Sequence, residues 1–374
     1  MRTPTTRRVG VEEELLLTDA ATGELRPLAR EVLAACEPVR GSAPGAHLKP
    51  EFFLAQVEAA SSPQEALDVV RDELVDARAR LADAGRPLGV APVAAAAPVR
   101  VDTPAPADEL SPGERYAEIE HHYGEVARRS LMCALHVHVE VTDDEEGVAV
   151  IDRVRPWIPV LVALGANSPY WLGRETGYAS WRSRLWNMWP SSGPAELFGD
   201  AATYHGVVRD MVSQRTVLDV GLVNLDVRLS HRYPTVEFRA TDVCTDLDDA
   251  MLVAALSRAL VTHYADRWRA GRAEERWRVE ELRAAAWQAA RFGLDDTLVS
   301  PVSREMTAAA DVAEELVAML EKPLEQTGDT ARVSRSLAEL RARGTGATRQ
   351  RTAFAEAGGF DGLLAALRDR TAGQ

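Results

Sequence analysis

The chain has 374 residues, of which 46% are hydrophobic, and a formal net charge of −14. This length and composition suffice for a large buried core, as one big domain or two ordinary ones. The negative charge argues against nucleic acid or an anionic membrane as a partner, because both require clustered Lys and Arg. No apolar run approaches the roughly 20 residues that are needed to span a bilayer.

The cysteines and the first residues indicate a reducing environment. Cys36, Cys133 and Cys244 are odd in number, far apart and in no CxxC pairing. Neither a disulfide framework nor a cysteine zinc site is therefore expected. The polar start "MRTPTTRR" lacks the apolar core of a signal peptide. We expect a cytoplasmic protein.

Hydrophobic periodicity and turn residues predict strands mixed with helices in the first two-thirds of the chain. The predicted strands cover residues 7–18, 48–60, 87–97, 131–144, 221–230 and 234–242. The predicted helices cover a short stretch before residue 38, then 63–85, 111–130 with a capping box from Ser111 to Glu114, and 148–164 with a break near Pro156. A Pro-rich loop at 98–113 could form a lid.

Beyond residue 246 almost everything is predicted to be helical, and no internal repeat or linker is evident. This order of elements favours an α+β fold with a largely antiparallel sheet. We interpret residues 1–374 as a single domain whose helical C-terminal portion covers about 246–374.

Three consecutive glutamates interrupt the first predicted strand. Alternate residues of a strand share a face, so Glu12 and Glu14 point one way, while Glu13 shares the other face with apolar neighbours. Two carboxylates on one face repel each other unless water or a cation lies between them, and Mg²⁺ binds through such oxygens. A solvated sheet face is the alternative.

Further acidic and histidine residues lie inside otherwise apolar strands. Glu51 and Glu58 have an odd separation, so a bulge or turn is needed to bring both to one site, and solvent exposure is the alternative. In "ALHVHVEV", His136, His138 and Glu140 share one face, and adjacent members can share a metal. A His-x-His pair is also typical of zinc hydrolases and some dioxygenases, and a histidine hydrogen-bonded within the sheet is the structural alternative.

The strand "TVEFRATD" places Glu237 and Arg239 on a common face. One could hold a cation and the other a phosphate or carboxylate, since Arg presents a fork that matches those oxygens; a cross-strand salt bridge is the alternative. The chain contains no GxxxxGK[ST] and no GxGxxG motif. If ATP is used, metals and arginines must hold its phosphates.

Four ordered motifs carry a resemblance to a known family: "GVEEELLLTD", "ALHVHVEV", "ANSPYWLGRETGYASWRSRLWNMWPSSGP" and "TVEFRATDVCTDLDDAMLVAAL". Together they resemble the bacterial glutamate–cysteine ligase type 2 family, also called carboxylate–amine ligases, over most of the chain to about residue 265. The resemblance implies a glutamine-synthetase-like fold, in which a curved, mostly antiparallel sheet forms a funnel-shaped active site and helices pack outside it.

The resemblance also implies ATP-dependent amide formation through an acyl phosphate, with glutamate as the carboxylate and cysteine or another amine as the acceptor. Two or three Mg²⁺ ions, or Mn²⁺, would neutralise charge. The implied metal ligands are Glu12, Glu14, Glu51, Glu58, His136 and Glu237. Arg239, with Glu237, would be catalytic, and Arg239 would face the transferring phosphate of the nucleotide.

The Trp-rich segment would form part of the amino-acid pocket, although its tryptophans could instead be core residues. Arg182 or Arg184 would hold a substrate carboxylate, and His138 and Glu140 would lie on the substrate side. Glu140 departs from the small residue usual in the family, so it could attract a cationic amine or pair with a nearby arginine. The competing hypotheses are a metallohydrolase built on His136 and His138, and a non-catalytic ligand-binding relative. We also expect a homodimer.

Overall fold

The computed structural model of the chain describes residues 6–36, 45–100 and 109–373. The Pro-rich segment that we interpret as a lid falls largely on residues 101–108, which lie outside the described residues. None of the helices among the described residues is long and apolar enough to cross a membrane.

A central antiparallel sheet of seven strands organises the described residues. Its strands are β1 (Val9–Asp19), β2 (His47–Pro50), β3 (Gln56–Ala60), β4 (Val90–Val93), β5 (Ala134–Glu140), β8 (Val227–Leu229) and β9 (Thr235–Asp242). They lie in the order β2-β3-β1-β5-β9-β8, and β4 pairs with the second half of β1. Two short hairpins are separate: β6 (Tyr170–Trp171) with β7 (Arg174–Glu175), and β10 (Thr297–Val299) with β11 (Met306–Ala308).

Helices make up most of the remaining described chain. They are α1 (Ala29–Ala35), α2 (Leu67–Gly85), α3 (Glu114–Tyr123), α4 (Glu125–Arg128), α5 (Asp144–Val154), α6 (Ile158–Leu164), α7 (Arg182–Trp186), α8 (Ala201–Ser213), α9 (Leu247–Arg269), α10 (Val279–Phe292), α11 (Ala309–Met319), α12 (Glu321–Thr327), α13 (Thr330–Arg343), α14 (Gly346–Glu356) and α15 (Phe360–Ala372). The predicted α+β, mostly antiparallel fold with a helical C-terminus is thus confirmed.

The apolar periodicity of α2 shows why helices cover one side of the sheet. Its predicted face is buried, at Leu67, Val70, Leu74, Ala77 and Leu81. The helix ends at Gly85, where a Cβ would lie 2.5 Å from the carbonyl oxygen of Val90, so only glycine allows β4 to begin so close. One hydrophobic cluster extends from β1 through α5 and α9 to α13.

Three details differ from the sequence-based expectations. The second acidic strand is two strands, β2 and β3, joined by a turn at residues 51–55. Ser111 does not cap a helix: α3 starts after Gly113, and the Ser111 hydroxyl instead donates a hydrogen bond to the main-chain carbonyl of Glu51. The hairpin β10–β11 interrupts the helical C-terminal portion, because Ser300 caps a turn between its strands.

Candidate active site

Three glutamates from β1 and the β2–β3 hairpin meet at one point of the sheet. The β1–β3 register places Glu14 directly opposite Glu58, and Glu51 follows β2 in the turn. Ligand oxygens of Glu14, Glu51 and Glu58 all lie within 4.8 Å of one another. Of the bulge or turn predicted to be necessary, the structure has a turn, and it brings the two acidic segments together.

Two of these carboxylates, those of Glu14 and Glu58, are held by their surroundings. Oε2 of Glu14 accepts hydrogen bonds from the Ala134 amide at 2.7 Å and from the Gln56 side chain at 3.1 Å. Oε1 of Glu58 lies 2.7 Å from the Lys49 ammonium. Such bonds fix the direction of the oxygens before any ligand arrives, which is the condition for a preorganised site.

The cluster disfavours its own negative charge. Burial, together with the charge of Glu51, raises the pKa of Glu14 to about 8. Burial and the charges of Glu12 and Glu51 hold the pKa of Glu58 well above its ordinary value. A divalent cation bound among these oxygens would reverse both effects, because it stabilises the ionised form. The donor set is all oxygen, which fits Mg²⁺ or Mn²⁺.

Glu12 lies beside this cluster and contacts two histidines of β5. The β1–β5 register pairs Glu12 with His136, and carboxylate oxygens of Glu12 lie 3.5 Å from Nδ1 of His136 and 3.6 Å from Nε2 of His138. Burial opposes ionisation of Glu12, but the two imidazoles outweigh it and lower the pKa of its carboxyl. Glu12 is therefore an anion next to the acidic cluster.

His136 and His138 differ in their surroundings, but each ring keeps one nitrogen without a hydrogen bond to a described residue. Burial and the nearby Arg239 lower the pKa of His136 to about 3, so its ring is neutral at physiological pH. Nδ1 of His138 lies 3.0 Å from the Thr235 hydroxyl. The Nε2 atom of each ring is buried without a hydrogen-bond partner among the described residues. A neutral imidazole with a free nitrogen is suited to a metal or a substrate donor.

Glu237 connects the acidic residues to a group of arginines. It pairs with His138 across β5–β9 and with Arg228 across β8–β9. Nε and Nη2 of Arg228 lie 2.8 and 3.2 Å from its two oxygens, and Nη1 of Arg239 donates a further hydrogen bond. Burial raises the pKa of Glu237, but these arginines outweigh that effect and hold it below the ordinary value.

Arg182 and Arg184 occupy different environments although both lie on α7. Arg182 is 1% exposed, and its terminal nitrogens each donate at 3.1 Å to main-chain carbonyls of β9, at Arg239 and Ala240. Its guanidinium is thus engaged in holding the strand. Arg184 is partly exposed, and no hydrogen bond or ion pair joins its side chain to another described residue.

The tryptophans of this segment divide between core and site. Trp189 is 7% exposed and packs in a small cluster with Ile119 and Ala127. Trp186 instead contacts the guanidinium groups of Arg182 and Arg239, whose central carbons lie 5.4 and 5.5 Å from its ring. Trp186 therefore fixes both arginines by cation–π contact beside Glu237.

Glu140 lies at the end of β5, away from the acidic cluster. Its Oε2 accepts from the Arg8 amide at 3.2 Å and lies 3.7 Å from Nε of Arg8. Of the two predicted alternatives for Glu140, the structure shows the arginine pair.

A family model described as glutamate–cysteine ligase family 2 matches residues 8–365 of the chain. The chain belongs to this family. A relative from Streptomyces coelicolor, assigned as a glutamate–cysteine ligase 2, is 45% identical over 98% of this chain and 99% of its own length. Another, from Nocardioides sp., is 43% identical over 98% of this chain and 96% of its own length.

Solved structures resemble the ligase chain in fold. The glutamate–cysteine ligase of Francisella tularensis in complex with AMP has a TM-score of 0.71 at 12% identity, over 99% of this chain and 89% of that one. The bifunctional glutathione synthetase of Pasteurella multocida has a TM-score of 0.65 at 16% identity, over 99% of this chain and 53% of that one. These likenesses confirm the predicted glutamine-synthetase-like architecture.

Membership of glutamate–cysteine ligase family 2 makes the chain an ATP-dependent ligase of the carboxylate–amine class, as the sequence predicted. Sequence reasoning missed three charged residues next to the predicted ones: Lys49, Asp226 and Arg228. Arg228 lies in β8, and Asp226 comes immediately before it. Each is a charge within a short apolar stretch, which is the same signal that marked Glu14.

Proposed function

We propose that the chain joins the side-chain carboxylate of glutamate to an amine, with ATP converted to ADP and phosphate. A carboxylate oxygen attacks the γ-phosphorus of ATP, ADP leaves, and an acyl phosphate forms. The amine nitrogen then attacks the acyl carbon, loses a proton, and phosphate leaves. Cysteine is the amine that the names of the relatives suggest.

The observation that carries this proposal is the close arrangement of an acidic cluster and an arginine group on one sheet. Phosphoryl transfer depends on positioning and charge neutralisation more than on covalent help from the protein. Glu14, Glu51 and Glu58 offer oxygens to cations, and Arg239 offers a positive charge on the other side of Glu12 and Glu237. Binding the phosphates of ATP requires both the cations that these glutamates would hold and the positive charge of Arg239.

Glu14, Glu51 and Glu58 would hold one Mg²⁺ ion, and Glu12, with a free imidazole nitrogen of His136, would contribute to a second position. Bound there, Mg²⁺ would neutralise phosphate charge. Glu237, which two arginines already engage, would serve mainly to orient Arg239. Arg239 would stabilise the charge that develops on the transferred phosphoryl group.

The donor set favours this proposal over a metallohydrolase built on His136 and His138. Among the described residues, the group of three or more side chains able to hold a metal consists of glutamates alone. Zinc sites in proteins typically include histidine or cysteine ligands, whereas oxygen-only sets suit Mg²⁺.

We also propose a cytoplasmic location, where Cys36, Cys133 and Cys244, all free and buried, stay reduced.

The test is phosphate release with product mass determined for each amine. Release should require Mg²⁺, glutamate and an amine together, and the product mass should equal that of the amide. Glu14→Gln should abolish turnover without unfolding the protein, because a neutral side chain matches the protonated form that burial favours. Glu24→Gln, at an exposed position of the β1 turn, is the matched control and should keep full activity. ATP hydrolysis at the same rate without glutamate would contradict the proposal.

A further inference from the structure

Lys49 differs from the other cations of the site because it is a lysine. The chain has 43 basic residues, and two of them, Lys49 and Lys322, are lysines. Lys322 is exposed on α12, whereas Lys49 lies on β2, next to the acidic cluster. Arginine fills the other basic positions, including those around Glu237. The cluster of glutamates is therefore accompanied by a kind of cation that the chain uses almost nowhere else.

The sheet register places the Lys49 side chain on the face of the acidic cluster. Lys49 lies opposite Glu58 in the β2–β3 pair, and Glu58 lies opposite Glu14 in the β1–β3 pair. Residues directly opposite each other in neighbouring strands share a face, so these three side chains form one row across three strands. Nζ of Lys49 lies 2.7 Å from Oε1 of Glu58. A cation of the chain itself thus engages one of the three carboxylates that we propose as Mg²⁺ ligands.

This ion pair is held less firmly than the pairs that arginines form at the site. Arg228 contacts both oxygens of Glu237 and also donates hydrogen bonds to two main-chain carbonyls. The side chain of Lys49 is 37% exposed, against 8% for Arg228. An ammonium is a compact, strongly hydrated charge on a flexible stem, whereas a guanidinium is a rigid fork of donors. Lys49 can therefore exchange Glu58 for water, while Arg228 would lose several buried hydrogen bonds on leaving Glu237.

A divalent cation and the Lys49 ammonium would compete for the same carboxylate. Ligand oxygens of Glu14, Glu51 and Glu58 lie within 4.8 Å of one another, so small side-chain movements would let one ion contact all three. Mg²⁺ binds such oxygens at about 2.1 Å, which places an ion held by Glu58 close to an ammonium held by Glu58. Two cations at such a distance repel each other. The ion binds fully only when the ammonium moves away toward water.

We propose that Lys49 is a resident cation of the acidic cluster, which Mg²⁺ displaces from Glu58 when it binds. Before an ion arrives, Lys49 neutralises part of the charge of the cluster and orients Glu58. Lys49 thereby sets the Mg²⁺ concentration at which the cluster fills. This inference rests on the proposed function, because it concerns the metal site of that reaction, and it adds what the incoming ion must displace.

Binding of Mn²⁺, followed by electron paramagnetic resonance, tests this competition without turnover, because free and bound Mn²⁺ give different signals. Lys49→Met removes the ammonium and keeps an unbranched side chain, so the Kd for Mn²⁺ should fall by about 10-fold. Lys49→Arg keeps the positive charge and adds a fork of donors, so its Kd should not fall below that of wild type. Lys322→Met, at an exposed position of α12, is the matched control and should leave the Kd unchanged. Circular dichroism shows whether each variant is folded.

A second measurement follows Lys49 in the wild type and so does not depend on the folding of a Lys49 variant. With lysine labelled by ¹³C at Cε, the two lysines give two side-chain NMR signals, which Lys322→Met assigns. Mg²⁺ should shift the Lys49 signal toward that of a hydrated lysine and leave the Lys322 signal in place. A Lys49 signal that stays unchanged at Mg²⁺ concentrations sufficient to displace bound Mn²⁺ would overturn the inference.

The outcomes separate this inference from the ligase reaction. An equal or higher Kd for Mn²⁺ in folded Lys49→Met would reject the role of Lys49 and leave the reaction intact. Binding of Mn²⁺ by neither wild type nor folded Lys49→Met would reject the metal site and the role of Lys49 with it. If wild type releases no phosphate with Mg²⁺, glutamate and an amine, the proposed function fails, and the Mn²⁺ and NMR results still decide whether Lys49 yields to an ion.

Discussion

Glu13 provides the sharpest test of the division of β1 into two faces. Unlike Glu12 and Glu14, it points into the core, where Nε and Nη2 of Arg78 lie 2.9 and 2.7 Å from its two oxygens. Glu13 is 0% exposed and Arg78 is 1% exposed. Arg78 also donates to the carbonyls of Cys244 and Thr245 at 2.8 and 2.7 Å. The pair therefore joins β1 to α2 and to the start of α9.

Glu13→Gln should lower the free energy of unfolding by about 3–5 kcal/mol, because it leaves the Arg78 charge buried without a counterion. That loss is a large share of the roughly 5–15 kcal/mol that stabilises a typical protein. The double variant Glu13→Leu with Arg78→Met should lose less than the sum of the two single variants, since it removes both charges at once.

Urea unfolding followed by circular dichroism measures these differences, and turnover is measured under conditions in which each variant is folded. Folded Glu13→Gln should retain most of its kcat, whereas folded Glu12→Gln should lose turnover. A loss below about 1 kcal/mol for Glu13→Gln would refute the buried-pair argument. Loss of kcat by folded Glu13→Gln would refute the division of faces.

Two further predictions concern the pH dependence of stability and the packing of α2. In metal-free buffer the folded protein keeps the Glu14 proton up to about pH 8, whereas the unfolded chain loses it near 4.5. The folded state binds the extra proton in this range, so wild type should lose stability relative to Glu14→Gln as pH rises from 4.5 to 8; parallel unfolding curves would contradict this sign. Gly85→Ala should cost about 1–3 kcal/mol, because its Cβ would meet the Val90 carbonyl at 2.5 Å. Gly206→Ala, with only the end of Arg209 at 3.8 Å, should be neutral or stabilising by up to about 1 kcal/mol in the same thermal unfolding assay.

The sequence predicted those site features that depend on local periodicity. Strand alternation separated Glu12 and Glu14 from Glu13, and the burial of β1 follows that alternation. It also showed that Glu51 and Glu58 could share a site only through a bulge or a turn, and the β2–β3 hairpin provides a turn. Each of these inferences needed only the geometry of one strand or one turn.

Features that depend on distant pairing could not be predicted in the same way. The partner of Glu13 lies 65 residues later on α2, where Arg78 reads as an ordinary charge on an amphipathic helix. The different environments of Arg182 and Arg184 arise from where β8 begins. Val227, its first residue, pairs with Phe238, and the carbonyls of Arg239 and Ala240 beyond that pair accept hydrogen bonds from Arg182.

The charges of the site imply that the nucleotide and the cations depend on each other. Glu12, Glu14, Glu51 and Glu58 form one half. Without cations the pKa values of Glu14 and Glu58 are raised, but ionised Glu12 would still repel the phosphates of ATP. The arginine half cannot compensate fully, because Glu237 already neutralises part of the charge of Arg228 and Arg239. Cations bound to the acidic half would replace its repulsion of the phosphates by attraction. The phosphates would in turn complete the ligands of the cations. Linkage makes this coupling reciprocal, so Mg²⁺ should tighten ATP binding by the same factor by which ATP tightens Mg²⁺ binding.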